Sequence, residues 1–195
     1  MGQRARVLMG LGLLAVWPAP IGRAATPADL DQLLATARAA AARRDYPAAI
    51  DALQKALEDV RRAAPLAIEK FMAVQEPAKM YGGYVPRKNA DYGQDEDLHF
   101  YLEPKNLVYP KSADGTYKPA FDVGFEILDK DGASVAQQER FGSFQFTSRS
   151  ALQDIYVNLH LTLKGAPRGT YEVRFTVKDT NSEKTATVKQ VINLL

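Results

Sequence analysis

Hydrophobic residues follow two different spacings along the chain. Up to about residue 76 they recur every three or four positions, which is the period of an amphipathic helix. From Leu98 onward they recur at every second position, which is the period of a half-buried β-strand. The change of period predicts a helical N-terminal part followed by a β-domain.

Capping residues and prolines divide the helical part. The run Thr26-Pro27-Ala28-Asp29 supplies a capping hydroxyl, a proline for the first helical position and an acid soon after it. Asp45 is placed to cap a second helix. The apolar stripe of this helix consists of Ile50, Leu53, Leu57 and Val60. Pro65 then opens the segment Leu66–Gln75, which we expect to be a short third helix or a kinked continuation of the second.

The alternating part predicts about seven strands. One-sided alternation is typical of antiparallel sheets, so we expect an immunoglobulin-like β-sandwich, with a barrel as the alternative. Turn dipeptides such as Asp131-Gly132 separate the runs. At Lys189-Gln190 the alternation slips by one residue, which predicts a β-bulge. The alternating runs are Leu98–Leu102, Phe121–Ile127, Phe144–Phe146, Ile155–Leu163 and Tyr171–Val177.

The first 24 residues have the pattern of a signal peptide. Arg4 and Arg6 precede an apolar run, Val7–Trp17, which at 11 residues is too short for a membrane span of about 20. Gly22-Arg23-Ala24 fits the small-x-small cleavage rule, so we expect cleavage after Ala24 and no stable membrane insertion afterwards. The protein is therefore predicted to be exported, with the periplasm favoured and the extracellular medium as the alternative.

These patterns together predict an α+β fold in four segments. They are a signal peptide at 1–24, a helical hairpin of two or three helices at 25–76, a tyrosine-rich connector at 77–97, and a β-sandwich at 98–195 packed beside the hairpin.

Charge and cysteine content exclude several classes of protein. The leader holds three of the 25 basic residues and none of the 23 acidic ones, so the remainder carries 22 basic and 23 acidic groups. Without a Lys/Arg-rich run, we expect no nucleic-acid partner. The chain has no cysteine, so it has neither disulfides nor a thiolate site.

The helical part resembles one tetratricopeptide repeat. The resemblance lies in RRDYPAAIDALQKALEDV, residues 43–60, where Tyr46, Ala49, Leu53 and Ala56 match the repeat's aromatic, small and large positions. Ala37 stands where a glycine is usual, and the expected proline comes late, at Pro65. A single repeat cannot bury both its faces, so it must pack on the rest of the chain, on a copy of itself or on a partner.

The second half resembles a group of exported bacterial proteins of unknown function. The shared pattern lies in GGYVPRKNADYGQDEDLHFYLEPKN and in SRSALQDIYVNLHLTLKGAPRGTYEVRFTVKDTNSEKTA. The resemblance implies a secreted β-domain beside helical segments and brings no catalytic residues with it.

Candidate catalytic and metal residues are sparse. The acidic run from Asp91 to Asp97 could bind calcium but lacks the spacing of an EF-hand, and we interpret it as the solvated start of a strand. His99 and His160 both lie opposite the apolar face of their strands, about 60 positions apart, so we predict no metal site and no cofactor. No serine lies in G-x-S-x-G or S-x-x-K, which favours a protein that is not an enzyme.

A binding role remains. Tyrosine and arginine are frequent at interface hot spots, and the connector region holds Tyr81, Tyr84, Arg87, Tyr92 and Tyr101. The alternative is that these residues dock the connector onto the sandwich. We expect a non-catalytic module that acts through protein–protein contacts in the cell envelope, with an unidentified partner and homo-oligomerisation left open. A carbohydrate-binding sandwich and, less favoured, a hydrolase are the alternatives.

Overall fold

A computed structural model describes residues 27–151 and 154–195. The predicted signal peptide and the capping hydroxyl of Thr26 lie outside these residues. Two helices are followed by eight strands, which confirms the α+β class and the predicted order. The elements are α1 Pro27–Ala42, α2 Tyr46–Ala63, β1 Ala67–Val74, β2 Asp91–Tyr92, β3 Asp97–Lys105, β4 Ala120–Leu128, β5 Ser134–Gln145, β6 Val157–Thr162, β7 Gly169–Asp179 and β8 Thr185–Leu194.

The two helices form an antiparallel hairpin with a defined turn. Arg44 takes a left-handed conformation (φ 59°), and the Asp45 amide donates to the Ala40 carbonyl at 3.0 Å, as in a Schellman motif. The Asp45 carboxylate accepts from the Ala48 amide, which confirms the predicted cap. The buried faces of both helices are built of alanines, which allow the helices to approach closely: Ala37, Ala40, Ala49, Ala52 and Ala56.

The predicted third helix is wrong, because Leu66–Gln75 contains β1. A bulge between Ile68 and Lys70 shifts the register against β3. Ile68 and Phe71 consequently both pack on the main core although they are three residues apart, whereas Val74 belongs to a second core on the other face. Two core residues three positions apart have the spacing of a helix, so the sequence period predicts a helix where the structure has a bulged strand.

The strands form two sheets. One has the order β1-β3-β6 and the other β2-β8-β7-β4-β5, and all pairs are antiparallel except the short β2–β8 pair. Apolar side chains from both sheets meet in one core, as in a β-sandwich. The central members of this core are Leu98, Phe100, Leu102, Phe121, Val123, Val173, Phe175, Val177 and Ile192.

The bulge predicted at Lys189-Gln190 is also wrong. β8 pairs with β7 without a register shift from Thr185 to Leu194. The alternation continues through Gln190, which takes an inward-facing position as a half-buried polar residue, and Val191 is exposed on the outer face.

The hairpin turn predicted at Asp131-Gly132 joins β4 to β5, and Gly132 has φ 80°. β5 is longer than the Phe144–Phe146 run suggested, because its first seven residues are exposed and carry no alternation. It forms one edge of the five-stranded sheet. Its bulge lies so close to Gly124 that a Cβ there would come within 2.5 Å of the Glu139 carbonyl oxygen.

The helical hairpin contacts the sandwich through the last turns of α2. Lys184, in the loop between β7 and β8, donates to the carbonyls of Arg61 at 2.9 Å and Asn106 at 3.0 Å. Tyr117 donates to Glu58 at 3.1 Å. Neither described helix is long and apolar enough to cross a membrane.

Candidate functional site

The connector after β1 covers part of the outer face of the three-stranded sheet. A second, smaller core forms beneath it from Val74, Ala78 and Tyr101. Asn158 of β6 holds the connector in place, because its side-chain amide both accepts from the Ala78 amide and donates to the Ala78 carbonyl, each at 2.9 Å. This part of the outer sheet face is therefore closed to solvent.

Tyr101 organises the hydrogen bonds under the connector. Its hydroxyl donates to Glu103 at 2.6 Å and accepts from the Gly82 amide at 2.8 Å. Tyr81 donates to the second oxygen of Glu103 and accepts from Lys105. Burial, reinforced by the bond to Glu103, raises the pKa of Tyr101 well above its ordinary value, so its hydroxyl remains a donor at physiological pH.

Arg87 fixes the far end of the connector. Its guanidinium lies 3.9 Å from the centroid of the Tyr92 ring and pairs with Glu96 at 2.7 Å. Burial opposes ionisation of Glu96, but bonds from the Gly93 amide and Arg87 outweigh it and hold the Glu96 pKa below its ordinary value. Arg87 also donates to the Asp91 carbonyl.

The five residues of the sequence-predicted binding cluster therefore hold the connector on the sandwich. Tyr92 and Tyr101 are buried and cannot contact a partner in this conformation. Tyr84 packs on Tyr101 with ring centroids 4.5 Å apart. Docking of the connector onto the sandwich accounts for these contacts.

The carboxylates of the acidic run point to different partners. Asp91 accepts from Asn193, Asp95 accepts from the Gly165 amide and Glu96 pairs with Arg87. Asp97 is the first residue of β3, in line with the interpretation of this run as the start of a strand.

Asp97 also belongs to a cluster that the sequence did not reveal. β3 pairs with β6 in a register that puts His99 opposite His160 and Asp97 opposite Thr162. The imidazole rings stack with centroids 4.9 Å apart, and His160 Nε2 lies 2.9 Å from Asp97 Oδ1. Hydrogen bonds from His160 and from Thr162 lower the Asp97 pKa. Both histidines lie on the outer sheet face, as predicted, but their proximity depends on a strand pairing that no local pattern encodes.

Besides the cluster of Asp97, His99 and His160, the outward face of α2 is a candidate interaction surface. Tyr46, Ile50, Leu53, Leu57 and Val60 are each between 47% and 59% exposed, although they form the apolar stripe identified in the sequence. We call these five residues the α2 stripe. The alanines of α2 supply the contact with α1, so the large side chains remain without cover in the described chain.

The clefts of the sandwich have few of the features that the alternative functions need. One, of about 570 Å³, lies beside the β4–β5 turn and the loop before β7; another, of about 820 Å³, lies on the outer face of the five-stranded sheet. Neither lining contains a serine or a histidine. The second cleft is lined largely by charged and hydroxyl side chains, such as Glu126, Arg174 and Thr187, and not by a row of aromatic rings that could stack on a sugar.

Comparisons with known proteins give no family. No family model and no curated protein match the chain. Among solved structures, superoxide reductase (neelaredoxin) from Ignicoccus hospitalis is similar with a TM-score of 0.34 and 11% identity, over 66% of this chain and 82% of that one. Alkylpurine DNA glycosylase AlkC from Pseudomonas fluorescens has a TM-score of 0.32 and 17% identity, over 85% of this chain and 42% of that one. Spo0M, a sporulation control protein from Bacillus subtilis, has a TM-score of 0.31 and 8% identity, over 67% of this chain and 49% of that one. Likenesses this distant carry no argument about function.

Proposed function

We propose that this protein is a non-catalytic, exported assembly module, and that it associates with a second copy of itself through the α2 stripe. The observation that carries the proposal is the half-exposure of five large apolar side chains along one helix. A single tetratricopeptide-like unit leaves one helical face for the next helix to cover, which is consistent with this arrangement.

The energy of burial indicates that the partner surface is apolar. Fully burying a large aliphatic side chain is worth about 1.5–3 kcal/mol, so a half-exposed one retains roughly 1 kcal/mol. The α2 stripe alone offers roughly 5 kcal/mol in this accounting. Association costs at least about 4 kcal/mol in lost freedom, so a polar partner surface would leave almost no net affinity.

A second copy supplies an apolar surface of the same length. The stripe is nearly symmetric about Leu53, since its other members lie seven and three residues before it and four and seven after it. An antiparallel pair of α2 helices would therefore place Tyr46 near Val60 and Ile50 near Leu57 of the other copy. Two stripes together offer roughly 10 kcal/mol, or at most about 6 kcal/mol after the association cost, which corresponds to a dissociation constant no tighter than on the order of 10–100 µM.

The positions beside the stripe carry little charge. Helical geometry puts Pro47, Ala49, Gln54 and Ala56 next to it, and the charged Arg61 borders it only at its C-terminal end, while Lys55 lies on the opposite side of the helix. Two copies would therefore meet without like-charge repulsion over most of the seam. A membrane surface is a poorer fit, because interfacial helices carry Lys and Arg along the border of their apolar face.

Sedimentation equilibrium of residues 25–195 tests the proposal between about 1 and 500 µM, a range chosen to span the expected dissociation constant. We expect a monomer–dimer equilibrium that Leu53→Glu abolishes without changing the melting temperature measured at about 1 µM, where the monomer predominates, since Leu53 is half exposed in the monomer. Ala39→Glu adds the same charge at an exposed position of α1 and serves as the matched control.

A protein that stays monomeric throughout this range overturns the proposal. So does a dimer that Leu53→Glu leaves unchanged. Either result would direct attention to a helix of another protein as the occupant of this face.

A further inference from the structure

Asp97, His99 and His160 are brought together by the sheet itself. Asp97 and His99 are two residues apart in β3, so their side chains share one face, and His160 of β6 lies directly opposite His99. Two strands in fixed register therefore position all three groups. Sites on regular elements are held more rigidly than sites on loops.

The geometry is close to that of a metal site. One ligand atom of each residue lies within 4.8 Å of the other two, and Asp97 Oδ1 is already 2.9 Å from His160 Nε2. Ligands bound tetrahedrally at 2.0–2.1 Å lie about 3.3 Å from one another. The side chains of Asp97 and His160 are 55% and 53% exposed, so small rotations can close the remaining distance without disturbing the core.

A nitrogen without a partner points to the same conclusion. His99 Nδ1 is buried and has no hydrogen-bond partner in the described chain, whereas buried polar atoms in folded proteins are nearly always paired. This atom is separate from the His160–Asp97 contact, so that ion pair does not explain it. A metal ion bound through Nδ1 would supply the partner that this nitrogen lacks among the described residues.

We propose that Asp97, His99 and His160 bind a divalent transition-metal ion of the zinc class. Two imidazoles and one carboxylate are a borderline ligand set that suits Zn²⁺, Cu²⁺, Ni²⁺ or Fe²⁺. Ca²⁺ and Mg²⁺ prefer a larger number of oxygen ligands, which this face does not supply. Thr162 donates to Asp97 Oδ1 at 2.8 Å, in the way that outer-sphere bonds orient a ligating carboxylate. This departs from the expectation, based on sequence separation, that the chain binds no metal.

The chain offers a direct assay because it has only two histidines. Untagged, chelator-treated protein with ¹⁵N-labelled histidine is titrated with Zn²⁺ at about pH 7.5, above the ordinary imidazole pKa of about 6.5. We expect both imidazole spectra to change together and to saturate at one equivalent. Calorimetry on the same sample gives the affinity, and Ca²⁺ under the same conditions should produce no change.

Substitutions separate a site from loose surface binding. His160→Ala and Asp97→Asn should each weaken Zn²⁺ binding at least about tenfold, because even outer-sphere changes cost 10–100-fold. Asp131→Asn, which removes an exposed carboxylate at the β4–β5 turn, should leave the affinity unchanged. At 100 times the dissociation constant, Zn²⁺ should raise the melting temperature by about 5–10 °C.

Three results would overturn the inference. They are the absence of stoichiometric uptake, a change confined to His160, and an affinity that His160→Ala leaves intact. His99→Ala should weaken Zn²⁺ binding in the same way as His160→Ala; if it fails to fold, His99→Gln keeps a polar group of similar size and tests the same ligand. None of these outcomes depends on the oligomeric state, so the metal site and the α2 dimer can fail independently.

Discussion

Lys184 is expected to fasten the helical hairpin to the sandwich, and Lys184→Met tests this. The ammonium group donates to two backbone carbonyls, those of Arg61 and Asn106, at 2.9 and 3.0 Å. Arg61 lies in the last turn of α2, whose terminal carbonyls have no partner within the helix and carry the negative end of the helix dipole. Methionine is an unbranched side chain only one atom shorter than lysine, and it removes both bonds.

The size of the effect follows from these contacts. Two hydrogen bonds at a net 0.5–1.5 kcal/mol each give about 2 kcal/mol for docking of the hairpin. Desolvation lowers the Lys184 pKa, and the nearby Asp179 carboxylate partly offsets this effect. The cost of burying the charge therefore cancels part of the stabilisation from the two hydrogen bonds. The carboxylate of Asp179 stays satisfied in the variant, because the Val108 and Asn181 amides and the Ser182 hydroxyl donate to it.

Hydrogen exchange measures this docking locally. A loss of about 2 kcal/mol should speed exchange in the last turn of α2 by roughly 30-fold, since each 1.4 kcal/mol is a factor of ten. The central strands β4 and β7 should keep their protection. Lys178→Met, at a position on the outer sheet face, is the matched control. Unchanged protection at the end of α2 in Lys184→Met would refute the role assigned to Lys184.

Three further outcomes are expected. Arg44→Gly should raise the free energy of unfolding by about 0.5–1 kcal/mol in chemical denaturation, because glycine occupies the left-handed position without strain; a loss of stability would contradict the Schellman assignment. Tyr101→Phe should lower that free energy by about 2 kcal/mol, because the Gly82 amide and buried Glu103 each lose a partner, and an unchanged unfolding midpoint would argue against the network. Because the Glu96 pKa is lowered in the folded state, its contribution is present above the unfolded pKa of about 4.3 and is lost as pH falls through the folded value. A pH series of melting temperatures should therefore fall less steeply below about pH 4.3 in Glu96→Gln than in the wild type, and identical slopes would count against the Arg87–Glu96 bond.

Local patterns were sufficient for much of the fold. The cap at Asp45, the hairpin turn at Asp131-Gly132 and the inward-facing positions of Phe121 and Val173 all depend on residues close together in sequence. The sequence pattern does not predict β1, because the bulge makes the core residues Ile68 and Phe71 three positions apart, as in a helix. It also does not predict the inward position of Gln190, because an inward-facing position near the end of a sheet can hold a polar residue.

The candidate sites were harder to predict, for two physical reasons. His99 and His160 are neighbours only because β3 pairs with β6, and the two strands between them in sequence, β4 and β5, join the other sheet. The α2 stripe was visible as a pattern, but hydrophobic period alone does not say whether a face is covered. In the structure α1 packs on the alanines of α2 and leaves the stripe uncovered. Which of the two faces packs on α1 depends on the three-dimensional packing and not on the sequence period.

The edge strand β5 bears on how copies of the protein avoid pairing edge to edge. An unpaired edge of 12 residues could recruit the same strand from another molecule and start a fibre. Polar side chains at Gln137, Gln138, Glu139 and Arg140, and a bulge seated on Gly124, make that edge irregular and charged. Replacing Glu139 and Arg140 with valine would leave the native core untouched while removing this protection, so the sequence of β5 serves to keep neighbouring molecules apart.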